Sequence, residues 1–211
     1  FSSPEKMNAA RLSPDGKILA TADAASNITL WDAASGAKLF VWPAHSARIN
    51  ALAFNPDGAR LVTASADFKA RVWDVSDAKN PQLQATLELS AEVNAIAFNA
   101  DGGLLLVGLN NGIARLRDLA SNTDLLILRG HADSISAVAF SLDGKMLATA
   151  SLDGTAKIWD AKTGQELFTL EGHTDAATGV AFSPDGKRVA TVGRDGGAKL
   201  WDASTGLEAL A

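Results

Sequence analysis

Three histidines are the residues of this chain that could, by residue type, take part in catalysis or bind a metal ion. His45, His131 and His173 each precede a phenylalanine by nine residues, and an aspartate follows each of them after 22 residues. Histidine with a carboxylate and a hydroxyl is the residue combination of nucleophilic triads. Because all three occupy one position of a repeated spacing, we expect them to lie in three separate structural units. The sequence therefore predicts no catalytic residue, no metal site and no cofactor.

The repeated spacing covers the whole chain. Trp-Asp occurs with the tryptophan at positions 31, 73, 159 and 201, and a degenerate copy, Arg117-Asp118, divides the long gap. A second marker ends in Asp-Gly, as in Ser13–Gly16, and recurs five times with gaps of 42 or 44 residues. The two extra residues fall most simply in segment 75–84. Repeats of this length indicate similar units that stack on one another.

Each repeat reads as four short strands. The predicted strands are typified by Ile49–Phe54, Leu147–Ser151, Ala156–Asp160 and Glu166–Leu170. Asp-Gly pairs between such runs supply the positive φ angles of tight hairpin turns. No segment shows a sustained 3.6-residue period, so the chain is predicted to be all-β.

These markers, with Gly-His at residues 130–131 and 172–173, resemble the WD40 family over the whole chain. The resemblance implies a β-propeller with five four-stranded antiparallel blades. The expected blades span residues 1–44, 45–88, 89–130, 131–172 and 173–211. Rings of this family more often have seven blades, so we expect these five to be part of a larger ring, although five could close a small one. An array that does not close leaves edges that need cover, for instance by self-association.

The resemblance also implies a structural hydrogen-bonded set in three repeats. Its members are His45, Asp67, Ser65 (or Thr63) and Trp73; His131, Asp153, Ser151 (or Thr149) and Trp159; and His173, Asp195 and Trp201, with Gly193 in the serine position and Thr191 as a substitute. Repeats one and three depart from this pattern, with Ala25 and Asn111 in the aspartate position and Arg117 in place of tryptophan. We expect these two repeats to be held mainly by packing.

Partner contacts are expected where equivalent exposed positions differ between repeats. Two such positions are the residue before the hairpin aspartate and the residue six places before the phenylalanine. In the resembled family, residues there line the top face. The candidate contact residues are Arg48, Glu92, Asn110, Leu152 and Arg194; the alternative is an ordinary solvated rim. Trp42 stands outside the repeat pattern, and packing between repeats is favoured for it over an exposed anchor.

Composition narrows the class of partner. The net charge is −5 and the pI is about 5.1, which disfavours nucleic-acid binding because phosphate contacts need clustered lysine and arginine. No apolar run is long enough for a membrane helix. The chain has no cysteine, and its first ten residues do not resemble a signal peptide. A cytoplasmic location is therefore expected, and the initial Phe1 suggests a piece of a longer protein.

The predicted function is a non-catalytic scaffold or sensor that binds other proteins or other domains of a longer chain. The alanine-rich, closely matching repeats resemble bacterial arrays in signalling proteins. The alternative is a propeller enzyme or a lectin-like binder of small ligands, with its site in the channel or between blades.

Overall fold

All the secondary structure found in the described part of the chain is antiparallel β-sheet. The computed structural model describes residues 6–210, where twenty strands form five four-stranded sheets without a helix. No helix that could span a membrane occurs there. Each repeat forms one sheet, and within each sheet the strands are hydrogen-bonded in the order in which they follow one another in the sequence. The all-β, five-sheet prediction is confirmed. The expected start of the first blade at residue 1 and the end of the fifth at residue 211 lie outside the described residues.

The chain divides into two compact units, Phe1–Asn94 and Ala95–Ala211. The first unit contains sheets 1 and 2. Sheet 1 consists of β1 (Met7–Leu12), β2 (Ile18–Asp23), β3 (Asn27–Asp32) and β4 (Lys38–Pro43). Sheet 2 consists of β5 (Ile49–Phe54), β6 (Arg60–Ser65), β7 (Lys69–Asp74) and β8 (Gln82–Glu88).

The second unit contains sheets 4 and 5 and all of sheet 3 except the first two residues of β9. Sheet 3 consists of β9 (Val93–Phe98), β10 (Leu104–Leu109), β11 (Ile113–Asp118) and β12 (Thr123–Arg129). Sheet 4 consists of β13 (Ile135–Phe140), β14 (Met146–Ser151), β15 (Ala156–Asp160) and β16 (Glu166–Leu170). Sheet 5 consists of β17 (Ala177–Phe182), β18 (Arg188–Gly193), β19 (Ala198–Asp202) and β20 (Glu208–Leu210).

The turns follow the predicted chemistry except in the second hairpin of sheets 1 and 2. Gly58 and Gly154, in the predicted Asp-Gly turns, have φ angles of 75° and 86°, the left-handed region that glycine enters without steric cost. Ser26 and Phe68 adopt φ angles of 65° and 66° at the hairpin position that glycine fills in the other three sheets. The two extra residues lengthen the β7–β8 loop, as predicted.

The core of the first unit lies between sheets 1 and 2. Ile28 and Leu30 of sheet 1 and Ile49 of sheet 2 belong to one cluster and are completely buried. Trp42 of β4 is 9% exposed, and its ring lies edge-on to Trp73 of β7 with the centroids 5.3 Å apart. Trp42 therefore packs between two repeats.

The core of the second unit lies in two clusters, one between sheets 3 and 4 and one between sheets 4 and 5. Leu106 and Ile135 belong to the first, and Ala150 and Ala177 to the second. Gly108 shows how closely the sheets approach, because a β-carbon there would lie 2.5 Å from a methyl group of Ile135. The small residue at this position lets two sheets stack at van der Waals contact.

Candidate functional site

The candidate partner-binding residues lie at one end of each sheet, here called the upper end. There the first strand begins and a hairpin joins the second strand to the third. The first hairpin residue donates its N–H to the carbonyl of the residue before the first strand. This bond runs from Ala66 to Arg48, from Leu152 to Ser134 and from Arg194 to Ala176, with N···O distances of 2.9, 2.9 and 2.8 Å. The two variable positions of a repeat are therefore neighbours in space.

The five candidate residues differ in exposure. Arg48, Asn110 and Arg194 are exposed, whereas Glu92 and Leu152 are partly buried. The guanidinium of Arg48 donates from Nε to the side-chain oxygen of Asn50 at 2.9 Å. Arg48 and Glu92 lie in the first unit, and the other three lie in the second. Each residue is thus placed at the upper end of its own sheet.

Sheet 4 carries a polar set of His131, Asp153, Thr149 and Trp159. His131 Nδ1 lies 2.8 Å from Asp153, and its Nε2 lies 2.7 Å from the Thr149 hydroxyl. The Trp159 indole N–H donates to the same hydroxyl at 2.9 Å. All hydrogen-bonding atoms are satisfied if the indole donates to threonine, threonine donates to Nε2, and Nδ1–H donates to the carboxylate.

Sheets 2 and 5 repeat this arrangement. His45 lies 3.0 Å from Asp67 and 2.6 Å from Thr63, and Trp73 donates to Thr63 at 3.1 Å. In sheet 5, the same three distances are 2.9, 2.8 and 2.9 Å for the set His173, Asp195, Thr191 and Trp201. The aspartate also accepts the backbone N–H that follows the histidine, as in the 3.0 Å bond from Ala132 to Asp153. Each set therefore ties the segment before the first strand to the hairpin.

Threonine, and not the serine two residues later, bridges histidine and tryptophan. The serine has a different role: Ser151 donates to the Asp133 carbonyl at 2.9 Å and accepts the Asp153 N–H at 3.1 Å. Ser65 makes the equivalent bonds in sheet 2. In sheet 5 a β-carbon at Gly193 would lie 2.6 Å from His173 Nδ1, so the glycine leaves room for the ring.

In sheets 2 and 4, the electrostatics favour neutral His45 and His131 beside ionised aspartate. Burial lowers the pKa of His45 and His131, and it outweighs the hydrogen bond and charge of the aspartate, which raise that pKa. Burial raises the pKa of Asp153, but the hydroxyl and N–H of Thr155, together with His131, hold it at about 2. The Gly197 N–H and His173 hold the pKa of Asp195 at about 2 as well.

Sheet 1 replaces the polar set with a different arrangement. Trp31 still donates its indole N–H to Thr21 at 2.8 Å. The carboxylate comes from Asp23, which stands where sheets 2 and 4 have serine and accepts the N–H groups of Ala25 and Asn27 at 3.0 and 2.9 Å. Ser26 donates to the Ala47 carbonyl at 2.7 Å and joins the hairpin to the segment before β5. Asp23 and Ser26 were not predicted from the sequence, although their spacing in the hairpin could have suggested them.

Sheet 3 has apolar residues where the polar set would lie. Val107 and Leu109 replace the threonine and serine, and both are completely buried. Arg117, in the tryptophan position, turns to β12, where it pairs with Asp124 at 2.8 Å; Arg115 pairs with the same carboxylate at 2.7 Å. The interior of this repeat is apolar at these positions, and the arginine–aspartate cluster was not predicted.

The histidines of the polar sets are closed off from solvent. Both ring nitrogens of each histidine have a partner within the set, and the histidine side chains are at most 1% exposed. Among the described residues, no group of three or more histidine, cysteine, aspartate or glutamate side chains is placed to hold a metal ion. What these sets can do chemically is fix loops to hairpins.

We predict that Thr149→Val destabilises the chain by about 1–3 kcal/mol, because His131 and Trp159 both lose a buried partner. The measurement is urea unfolding at pH 7. The matched control is Thr123→Val on an exposed strand end, which is expected to change stability by less than about 0.5 kcal/mol. Equal effects of the two variants would contradict the bridging role of Thr149.

We also predict that acid destabilises the fold through His45 and His131. Their pKa values are lower in the folded state than the ordinary value of 6.5, so the unfolded chain binds more protons just below pH 6.5. Stability is therefore complete above about pH 6.5 and decreases as the pH falls from there to the folded-state pKa. Urea unfolding between pH 7.5 and 5 should show this loss, and the double variant His45→Gln, His131→Gln should show a flatter dependence. An unchanged slope would contradict it.

Comparison with known proteins agrees with this architecture. The WD40 family model, described as "WD domain, G-beta repeat", matches residues 36–74, 122–160 and 164–202, which are more than half of the chain. The matches end at the Trp-Asp pairs of sheets 2, 4 and 5, the three sheets with the polar set. A search of curated proteins finds no match. Repeats of this family generally mediate protein–protein interaction and are typically non-catalytic. The chain belongs to the WD40 family.

Proposed function

We propose that this chain is a non-catalytic scaffold or sensor module that binds a partner protein through the upper ends of its sheets. The observation that carries the proposal is that its polar side chains fall into two groups with different burial. Those that recur from repeat to repeat are buried and hydrogen-bonded to one another, as in the set of His131, Asp153 and Thr149. Those at the upper ends differ from repeat to repeat, and most are exposed to solvent.

The chemistry of the upper ends fits a protein partner. Arg48 and Arg194 offer planar cations, which are common anchors in protein interfaces. Glu92 offers a carboxylate, Asn110 an amide and Leu152 an apolar contact. A protein surface presents complements to all of these, whereas a phosphate backbone would be repelled by a chain with a net charge of −5. The partner is another protein or another domain of a longer chain, which would make the array one arm of a signalling protein.

Rigid sheets suit this role. The hairpin residue and the residue before the first strand are joined by a backbone hydrogen bond in sheets 1, 2, 4 and 5. Arg48, Leu152 and Arg194 therefore project from backbone that is fixed before the partner arrives, which reduces the entropy lost on binding.

We predict that the double charge reversal Arg48→Glu, Arg194→Glu weakens partner binding by at least about tenfold, the effect of losing about 1.4 kcal/mol. The measurement is quantitative capture of the partner from the source cell by immobilised variants, followed by titration of the purified partner. The matched control is Lys17→Glu, Lys145→Glu, which changes the net charge equally at two lysines in the turns between the first and second strands, about four-fifths exposed.

The two variants separate a specific contact surface from a general charge effect. Weakening by the arginine variant alone supports the proposal. Unchanged affinity of the arginine variant, or equal weakening by the lysine control, would contradict the assignment of the upper ends as the contact surface.

A further inference from the structure

The third strand of sheets 2 to 5 carries a cation two residues before the tryptophan position. These cations are Arg71, Arg115, Lys157 and Lys199. In sheets 3, 4 and 5 the fourth strand places a carboxylate opposite the tryptophan position. These carboxylates are Asp124, Glu166 and Glu208. Each pairs with the cation of its own sheet, at N···O distances of 2.7, 3.0 and 2.9 Å. An ion pair between the third and fourth strands is therefore a regular feature of these three sheets.

Sheet 2 has the cation, but its fourth strand has an apolar residue in place of the carboxylate. Leu83 of β8 stands opposite Trp73, the position that Glu166 holds in sheet 4. Leu83 is 51% exposed, so an apolar side chain lies at the surface where three other sheets have a charge. The cation of sheet 2 therefore lacks the fourth-strand partner of its counterparts.

Within the described chain, the guanidinium of Arg71 makes its hydrogen bonds through one nitrogen. Nη1 donates to the Ala44 carbonyl at 2.5 Å and to Asp67 at 3.4 Å, and it lies 3.0 Å from His45 Nδ1. Nε and Nη2 have no hydrogen-bond partner within residues 6–210. The N–H groups of these two nitrogens run parallel along one edge of the guanidinium, and such an edge can bind both oxygens of a carboxylate.

An open hollow of about 350 Å³ lies beside this guanidinium. Its walls are segment 43–46 before β5, Arg71 and Trp73 of β7, and Leu83 of β8, all within the first compact unit. Ser46 and Leu83 are exposed, and the Arg71 side chain retains 20% of its surface. The volume is at the lower end of the roughly 300–1,000 Å³ that small-ligand pockets have. The hollow therefore has room for a side chain and presents a cation beside an apolar wall.

The charges around the hollow favour a single carboxylate as the ligand. Arg71 carries one positive charge, and the ionised Asp67 beside it is already hydrogen-bonded to His45 and to the N–H of Ser46. One bound carboxylate would give sheet 2 the charges that sheet 4 has, which are one cation, one hairpin carboxylate and one carboxylate at the fourth strand. A phosphate ester would bring nearly two negative charges to one cation and one ionised aspartate, so it fits less well.

The donors of the hollow favour a side-chain carboxylate over the carboxyl terminus of a chain. Terminal carboxylates are captured by clusters of free backbone N–H groups. Here the N–H of Ser46 donates to Asp67 at 3.2 Å, and the N–H of Ala44 donates to the Ser26 carbonyl at 3.0 Å. The donors left for a ligand are those of the guanidinium edge. The exposed Leu83 adds a contact for an apolar residue next to the acidic one.

We propose that the hollow beside Arg71 binds a glutamate side chain of a partner protein, with an apolar neighbour of that glutamate packed on Leu83. The glutamate takes the place that Glu166 has in sheet 4, and its two oxygens accept the N–H groups of Nε and Nη2. The site rests on the proposed function in taking a protein as its ligand, and it adds the chemical group that is recognised. Arg48 and Arg194 are not part of it, so the two assignments can fail separately.

The first test is an NMR titration of the Arg71 Nε–H signal with short peptides blocked at both ends. One peptide contains leucine followed by glutamate, and the other contains leucine followed by glutamine. We expect a saturating shift with the glutamate peptide and at least about tenfold weaker binding of the glutamine peptide, because the neutral amide loses the charge-assisted bonds. Equal binding of the two peptides, or no shift with either, would overturn the proposal.

Two further peptides in the same titration separate the sources of negative charge. One ends in leucine and alanine with a free carboxyl terminus, and the other has phosphoserine in place of the glutamate. The glutamate peptide should bind more tightly than either. Tighter binding of the free terminus or of phosphoserine would overturn the assignment of the hollow to a glutamate side chain.

The second test closes the site from within. In Leu83→Glu, a carboxylate stands where it can pair with Arg71, as Glu166 pairs with Lys157. Leu83→Gln is the matched control, with nearly the same shape and no charge. We expect Leu83→Glu to bind the glutamate peptide at least about tenfold more weakly than Leu83→Gln, and to unfold at a higher urea concentration. Equal peptide affinities, or a lower urea midpoint for Leu83→Glu, would overturn the proposal.

The variant Arg48→Glu, Arg194→Glu separates this site from the upper-end assignment. It should bind the glutamate peptide like the unaltered chain, because neither residue lines the hollow. Loss of peptide binding in this variant would overturn the assignment to Arg71. Intact peptide binding together with unchanged affinity for the partner protein would support this site and contradict the upper-end assignment alone.

Discussion

A four-stranded sheet built from about 42 residues has two faces and cannot bury either of them alone. Stacking of one sheet on the next is therefore the constraint on which the rest of this structure depends. Its physical expression is one face of each second strand, where Ala22, Ala64, Gly108 and Ala150 allow close approach. The contact between Gly108 and Ile135 leaves no room for a single added methyl group. Hydrophobic burial at these positions is uniform in sheets 1 to 4, whatever else differs between them.

The polar sets are secondary to this stacking. They fix the segment before the first strand to the hairpin, and that fixes the upper end from which the candidate contact residues project. Sheets 1 and 3 reach the same fold with different polar groups, Asp23 in one and the pair of Arg117 and Asp124 in the other. The stacking positions in those two sheets remain small or buried. The polar groups therefore differ between sheets, while the stacking positions of sheets 1 to 4 stay apolar and buried.

The fold was predictable because the same sequence markers recur in each repeat, so the loss of one marker does not hide the pattern. Five copies of an Asp-Gly turn and a Trp-Asp pair define the sheets even where one copy is degraded, as at Arg117. The details of the polar sets were less predictable. Thr63 and Ser65 point to the same side of one strand, so spacing alone could not identify the one that meets His45. The partner of Arg117 depends on a bulge after Leu116, which places Arg117 opposite Asp124; a strand of regular register would have placed it opposite Leu125. The variable upper-end positions were visible in the sequence, but their adjacency required the hydrogen bond between the hairpin and the first strand.

The central claim is that stacking, and not hydrogen bonding within a sheet, stabilises each repeat. Strands β14 and β18 provide a direct test, because they have the same register within their sheets. They differ in burial, since Ala148 and Ala150 have no exposed surface, whereas Ala190 and Val192 are exposed. The measurement is amide hydrogen exchange at Ala148 and Ala150 against Ala190 and Val192, at a concentration where the chain is monomeric. We expect the two amides of sheet 4 to exchange far more slowly than those of sheet 5. Equal protection in the two strands would contradict the account.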